Sequence, residues 1–167
     1  MGQERPDSSV RRADEASSAL EAARSRRREL ARAMRDVEAA LAAAAPGREH
    51  AWRAAVTHRI VALRDAFDEH VGVTERAGGL FDDILRVAPR LSHAVESLRA
   101  QHDPIRTGIA EIVEHVLRPP EAAPGVERIR EVAIDLLVRI ARRQRGADLV
   151  WDAYWVDIGG ESAGAAG

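Results

Sequence analysis

The sequence predicts an all-α protein, an antiparallel up-down-up-down four-helix bundle. Three observations carry that expectation. Ala supplies 32 of the 167 residues, and with Arg, Leu and Glu it makes strong helix formers dominant. Aromatic residues are only 4%, which argues against a β-rich domain. Apolar residues recur every three or four positions through four long stretches that Pro and Gly separate.

The first helix is expected over about 8–45, with Val10, Leu20, Ala23, Leu30, Met34, Val37 and Leu41 on one face. Pro46-Gly47 stops it. Several of its inward positions are Ala, which lets helices approach closely but buries little area. The second is expected over 48–77, with Trp52, Val56, Ile60, Leu63 and Phe67 on its stripe, and Gly78-Gly79 ends it. A short helical piece is expected over Leu80 to Val87. The third helix, 89–118, carries Leu91, Val95, Leu98, Ile105, Ile109, Ile112 and Val116.

Pro104 lies inside this third stretch, where it removes a backbone donor and clashes with the carbonyl of Ala100. The expectation is a kink there, or two helices in sequence, with Asp103 as N-cap and Pro104 at the first helical position. Pro119-Pro120 and Pro124-Gly125 separate the third helix from a fourth over 126–155. That helix carries Ile129, Ala133, Leu136, Leu137, Ile140, Ala147, Val150 and Tyr154. Residues 8–158 thus form the bundle, with a disordered N-terminus at 1–7 and a disordered, Gly-rich tail at 159–167. Short connections between helices about 45 Å long, at ~1.5 Å rise per residue, force antiparallel neighbours.

Composition excludes several chemistries. There is no Cys, so disulfides, zinc–thiolate sites, iron–sulfur clusters and Cys nucleophiles are ruled out. All 25 basic residues are Arg, so a P-loop or a Schiff-base enzyme would lack its Lys. The net charge of −2 supplies no field that would draw the whole protein to nucleic acid or an anionic membrane. The longest apolar run, Ala39 to Ala45, is far short of the ~20 residues of a bilayer span. The first dozen residues lack the apolar core of a secretory signal, so a cytoplasmic location is expected.

His and carboxylate are then the remaining candidates for metal chemistry. Of six histidines, His70 continues the stripe Val56, Ile60, Leu63, Phe67, and His102 falls between Leu98 and Ile105 on theirs. Both are expected to face the interior. A buried imidazole needs a hydrogen bond, a water or a metal, because leaving it bare costs about 1–3 kcal/mol. His50, His58, His93 and His115 are expected at the surface or its boundary. Glu75 follows His70 by five residues, about 140° further round the helix, so the two share a site only from the side.

Neither the Glu-x-x-His pairs of di-iron bundles nor His-Glu-x-x-His occurs. Arg24, Arg26, Arg27 and Arg28, and Arg142, Arg143 and Arg145, form two basic clusters. Interleaved Glu21, Glu29 and Asp36 make helix-surface ion pairs the better reading of the first. No Gly-x-Ser-x-Gly turn is present, so a hydrolase triad has no support in the sequence.

Two stretches resemble the hemerythrin-like (HHE cation-binding) family. Asp68-Glu69-His70-Val71-Gly72-Val73-Thr74-Glu75, with Gly79-Leu80-Phe81-Asp82-Asp83-Ile84-Leu85, is similar to its His-to-acid-then-Leu-Phe segment. Leu98-Arg99-Ala100-Gln101-His102 resembles the start of the following helix. The run from Arg142 to Val150, with Trp151-Asp152-Ala153-Tyr154 and Asp157-Ile158-Gly159-Gly160, is similar to the end of a bacterial subgroup.

The resemblance implies a four-helix bundle holding non-haem iron through His and carboxylates, for dioxygen binding, iron handling or redox sensing. Residue by residue it implies His70, Glu75 and His102 as metal ligands, with Asp148 as the acid of the last helix. Arg142 stands where that family's last-helix motif would open with His, and no His follows His115. The expected metal site is therefore incomplete, and a carrier or sensor is expected rather than an enzyme. The alternative is a metal-free bundle acting as an interaction or regulatory module, its surface the long first helix. A metal ion with dioxygen, or a protein partner or second copy, are the expected partners; nucleic acid and membrane are not.

Overall fold

The structure, a computed structural model, describes residues 8–118, 122 and 124–164, with side chains at 18, 21–118, 122 and 124–156. Among the described residues every regular element is helical. In chain order they are α1 (Ser8–Ala42), α2 (Glu49–Glu75), α3 (Leu80–Val87), α4 (Ser92–Ala100), α5 (His102–Leu117) and α6 (Val126–Gly164). A single 3-10 turn, Pro89–Leu91, joins α3 to α4. Residues 1–7 and 165–167, where disordered ends are expected, lie outside the described residues. The last helix runs to Gly164, past its expected end at Trp155.

The turns follow the glycines. Gly47 and Gly78 both have positive φ, 71° and 69°, a conformation that costs L side chains energy and glycine none. Gly79 then caps α3 in an extended conformation, and a Cβ there would lie 2.7 Å from the Arg76 carbonyl oxygen and 2.8 Å from that of Val73. Only a residue without a side chain lets the chain turn that closely over the end of α2.

The long third stretch is two helices in sequence, and the break falls earlier than expected. Gln101 is the N-cap of α5, not Asp103, and Pro104 sits in the first turn behind His102 and Asp103. A proline is tolerated in that turn because the first four helical N–H groups have no intrahelical acceptor. Gln101 also turns its side chain back, donating from Nε2 to the Ser97 carbonyl at 3.0 Å.

The stripes read from the sequence are the core. α1 packs on α2, α2 on α5, α5 on α6, and α6 returns to α1. The main apolar cluster joins Leu30, Val37, Val56, Ile60, Leu63, Phe67, Ile109, Ile129, Leu136 and Ile140, each no more than 1% exposed. A second cluster at one end joins Phe81 and Ile84 of α3, Val95 and Leu98 of α4, and Val150 and Tyr154 of α6.

The first helix is not an appended surface. Leu30, Met34, Val37 and Leu41 are buried in the main cluster, because alternating Ala and Leu or Val lets α1 lie close on α2. Val10 and Leu20 lie outside the described side chains. Ion pairs tie the helix faces together: Arg26 to Glu69 at 2.5 Å, Arg59 to Asp36 at 3.5 Å and Arg106 to Asp68 at 3.0 Å. Arg130 donates from Nε and Nη2 to the carbonyls of Leu41 and Ala43, both at 2.9 Å, and so holds the end of α1. Among the described residues, no helix is long and apolar enough to cross a membrane.

Candidate functional site

The two apolar clusters meet at a thin polar layer. The buried polar and charged side chains among the described residues are His70, Thr74, His102 and Arg143, and all four belong to this layer. Their positions follow from helix periodicity. On α2, Phe67, His70 and Thr74 are spaced three and four apart on one face. The Thr74 hydroxyl turns back to the carbonyls of His70 at 3.0 Å and Val71 at 3.1 Å, so it needs no other partner. His102 is the first residue of α5, aimed inward where the chain steps from α4. On α6, Ile140, Arg143, Ala147 and Val150 form one stripe, which turns Arg143 into the bundle.

His102 is 1% exposed and boxed by rings. Phe67 meets it edge-on at 5.7 Å between centroids, and Phe81 stacks on it at 6.3 Å. His70 lies 6.4 Å away at nearly a right angle. The His102 Nδ1 stands 2.5 Å from Glu75 Oε1. A carboxylate only accepts, so Nδ1 carries the proton and Nε2 is the bare nitrogen, which is buried with no partner among the described residues. Burial first, and the Arg143 charge next, lower the His102 pKa to about 3, so the ring donates as neutral imidazole.

The second ring is fixed from the other side. Arg143 Nη1 lies 3.1 Å from His70 Nε2. A guanidinium only donates, so Nε2 is the acceptor and the His70 proton sits on Nδ1, which is buried and unpartnered among the described residues. Burial, then the Arg143 charge, with His102 and Arg27 adding, lower the His70 pKa to about 3. Arg143 itself is 2% exposed. Burial lowers its pKa to about 10, opposed by the Glu75 charge and assisted by Arg27, and it stays protonated at neutral pH. Its Nε is likewise buried without a partner.

The residues that the sequence marks out separate into two groups. His70, Glu75 and His102 come to one place, with Glu75 reaching across to His102 rather than to His70 on its own helix. Asp148 stands apart, bonded to Arg27 of α1, which also donates to the Gln144 carbonyl at 3.4 Å. Arg142, expected at the vacated ligand position, is exposed; the inward arginine is its neighbour Arg143. The stripe carries the signal, since Arg143 is three residues after Ile140 and four before Ala147, whereas Arg142 fits neither interval.

The donor set fits a metal ion poorly. Among the described residues, no group of three or more His, Asp or Glu is placed to hold one. The His70 acceptor nitrogen is already taken by a guanidinium, and a fixed positive charge beside the rings repels a second cation. Beside Arg143 lies a cavity of about 60 Å³, lined chiefly by apolar side chains, with the exposed Arg24 among its lining residues. Comparison with family models, curated proteins and solved structures finds no match to this chain.

Proposed function

We propose that the protein is a metal-free, non-enzymatic helical-bundle module that binds a small ligand at the His–Arg–Glu layer and serves as a regulatory element. The observation that carries this reading is Arg143, buried and bonded to His70 where a metal bundle would need an uncommitted imidazole. A buried guanidinium is a permanent cation at the centre of the fold, and it makes the site one for anions. The architecture we infer is the up-down-up-down bundle. Arg26–Glu69 with Asp36–Arg59, and Arg27–Asp148 with Leu41–Arg130, pair numbers that rise on one helix and fall on its neighbour. The break before Pro104 is part of the same reading, because it sets His102 at the head of α5.

A second reading keeps the hemerythrin-like function, with non-haem iron bound for dioxygen or redox sensing. What favours it is the bare, buried Nε2 of His102, oriented by the Glu75 carboxylate as second partners orient metal-binding rings. Metal analysis and an absorption spectrum, after growth in iron-supplemented medium, separate the two. The metal-free reading expects less than about a tenth of an equivalent of iron and no charge-transfer band. Near-stoichiometric iron, lost together with stability in His102→Leu, would establish the second reading instead.

A further inference from the structure

Among the described residues, no carboxylate lies within ion-pair distance of the Arg143 guanidinium. Glu75, whose charge acts on Arg143, is bonded to His102, and Asp148 is paired with Arg27. Within the same residues its one hydrogen bond goes from Nη1 to His70, and its Nε has no partner. A charge taken out of water needs both an opposite charge and satisfied donors to be stable there. His70 adds an Nδ1–H that is also buried and unpartnered. Both residues line the same cavity, with Arg27 beside them, so a buried guanidinium held by no direct ion pair among the described residues lies next to a single space.

The walls restrict what that space accepts. Besides Arg27 and Arg143, the lining includes Phe81, Ile84, Leu98 and Val150, and most of its surface is apolar. A multiply charged, strongly hydrated anion would leave oxygens facing these hydrocarbons without donors, which is costly. A volume of about 60 Å³ admits a few heavy atoms, given that one water occupies roughly 10–15 Å³ on the same measure. Arg24, an exposed residue of the lining, has its guanidinium 5.9 Å from the Trp151 ring and adds positive potential there.

We propose that this cavity binds a small aliphatic monocarboxylate, its carboxylate held by Arg143 and its short apolar tail packed on Phe81, Ile84 and Leu98. Arg presents a planar fork of donors that matches a carboxylate, and bonds between charged partners are about twice as strong as neutral ones. The proposal deepens the metal-free reading and rests on it, since it names the ligand class of the same site.

The test uses the full-length chain, treated with chelator and dialysed, and follows titration heat and tryptophan fluorescence, to which Trp151 of the cavity contributes. Sodium acetate, propionate and butyrate are compared with sodium chloride and phosphate at equal ionic strength. Butyrate is expected to bind at one site per chain, and each added CH2 to strengthen binding about fourfold. Arg143→Met should weaken butyrate by at least about tenfold. Ala147→Leu, which fills the cavity and leaves every charge in place, should weaken it likewise and keeps the proposal testable if the Arg143 variant does not fold.

Absence of saturable butyrate binding would overturn the proposal, and so would phosphate binding in its place or unchanged affinity in the folded variants. These failures are distinct from failure of the metal-free reading, which is decided by iron in the protein before chelation.

Discussion

Lowering the pH from 7.5 to 5.5 should destabilise this protein, and the His70 environment sets the size of the effect. In the unfolded chain His70 titrates near its ordinary 6.5, whereas in the fold its pKa is lowered to about 3. Between those values the unfolded state binds the proton and the folded state does not, so stability falls as pH falls. At pH 7.5 the difference is negligible; at pH 5.5 it reaches about 1.4 kcal/mol from this ring alone. His102, lowered in the same direction, adds to it.

The groups acting on His70 come from three other helices: Arg143 on α6, His102 on α5 and Arg27 on α1. Two of these are arginines that remain charged throughout the range, so the sign does not reverse. The measurement is the urea midpoint and slope followed by helical circular dichroism, at pH 7.5, 6.5 and 5.5 in metal-free buffer. The variant His70→Gln, which keeps a hydrogen-bond acceptor for Arg143 but cannot titrate, should show a shallower loss. Stability that stays level or rises as pH falls to 5.5 would refute the reasoning, because these rings would then keep or gain affinity for protons on folding.

Two other substitutions follow from the packing. Gly79→Ala should cost about 1–3 kcal/mol in chemical denaturation, because its Cβ meets the Arg76 and Val73 carbonyls and backbone cannot move aside as a side chain can. Phe67→Ala should cost about 3–5 kcal/mol in the same assay, since it empties a fully buried position of the main cluster and removes one ring of the box around His102.

Much of the fold is legible in the sequence because helical periodicity is a local signal. Leu63, Phe67 and His70 on α2, or Leu136 and Ile140 on α6, are placed inward by counting alone, and all are buried. The inward placement of His102 is legible for the same reason. Two things are not. The choice between Arg142 and Arg143 turns on about 100° of helix rotation, and the resemblance singles out Arg142, which is exposed, whereas Arg143 is buried.

The partners across helices are also hidden. Glu75 meets His102 and Asp148 meets Arg27 through tertiary contacts, separated by 27 residues in the first case and most of the chain in the second. Spacing along one helix carries no information about such pairs. The first helix is deceptive in another way, because its Ala-rich face looks weak by buried area yet closes the bundle by proximity.

A guanidinium at the heart of a helical bundle differs from a metal ion in how the charge is acquired. It is inherited with the chain, present from the moment Arg143 folds between His70 and the cavity. No chelator strips it, no oxidant changes its valence, and no shortage of iron leaves it vacant. The residue that takes the centre of this protein thereby carries a charge that depends on neither metal supply nor oxygen.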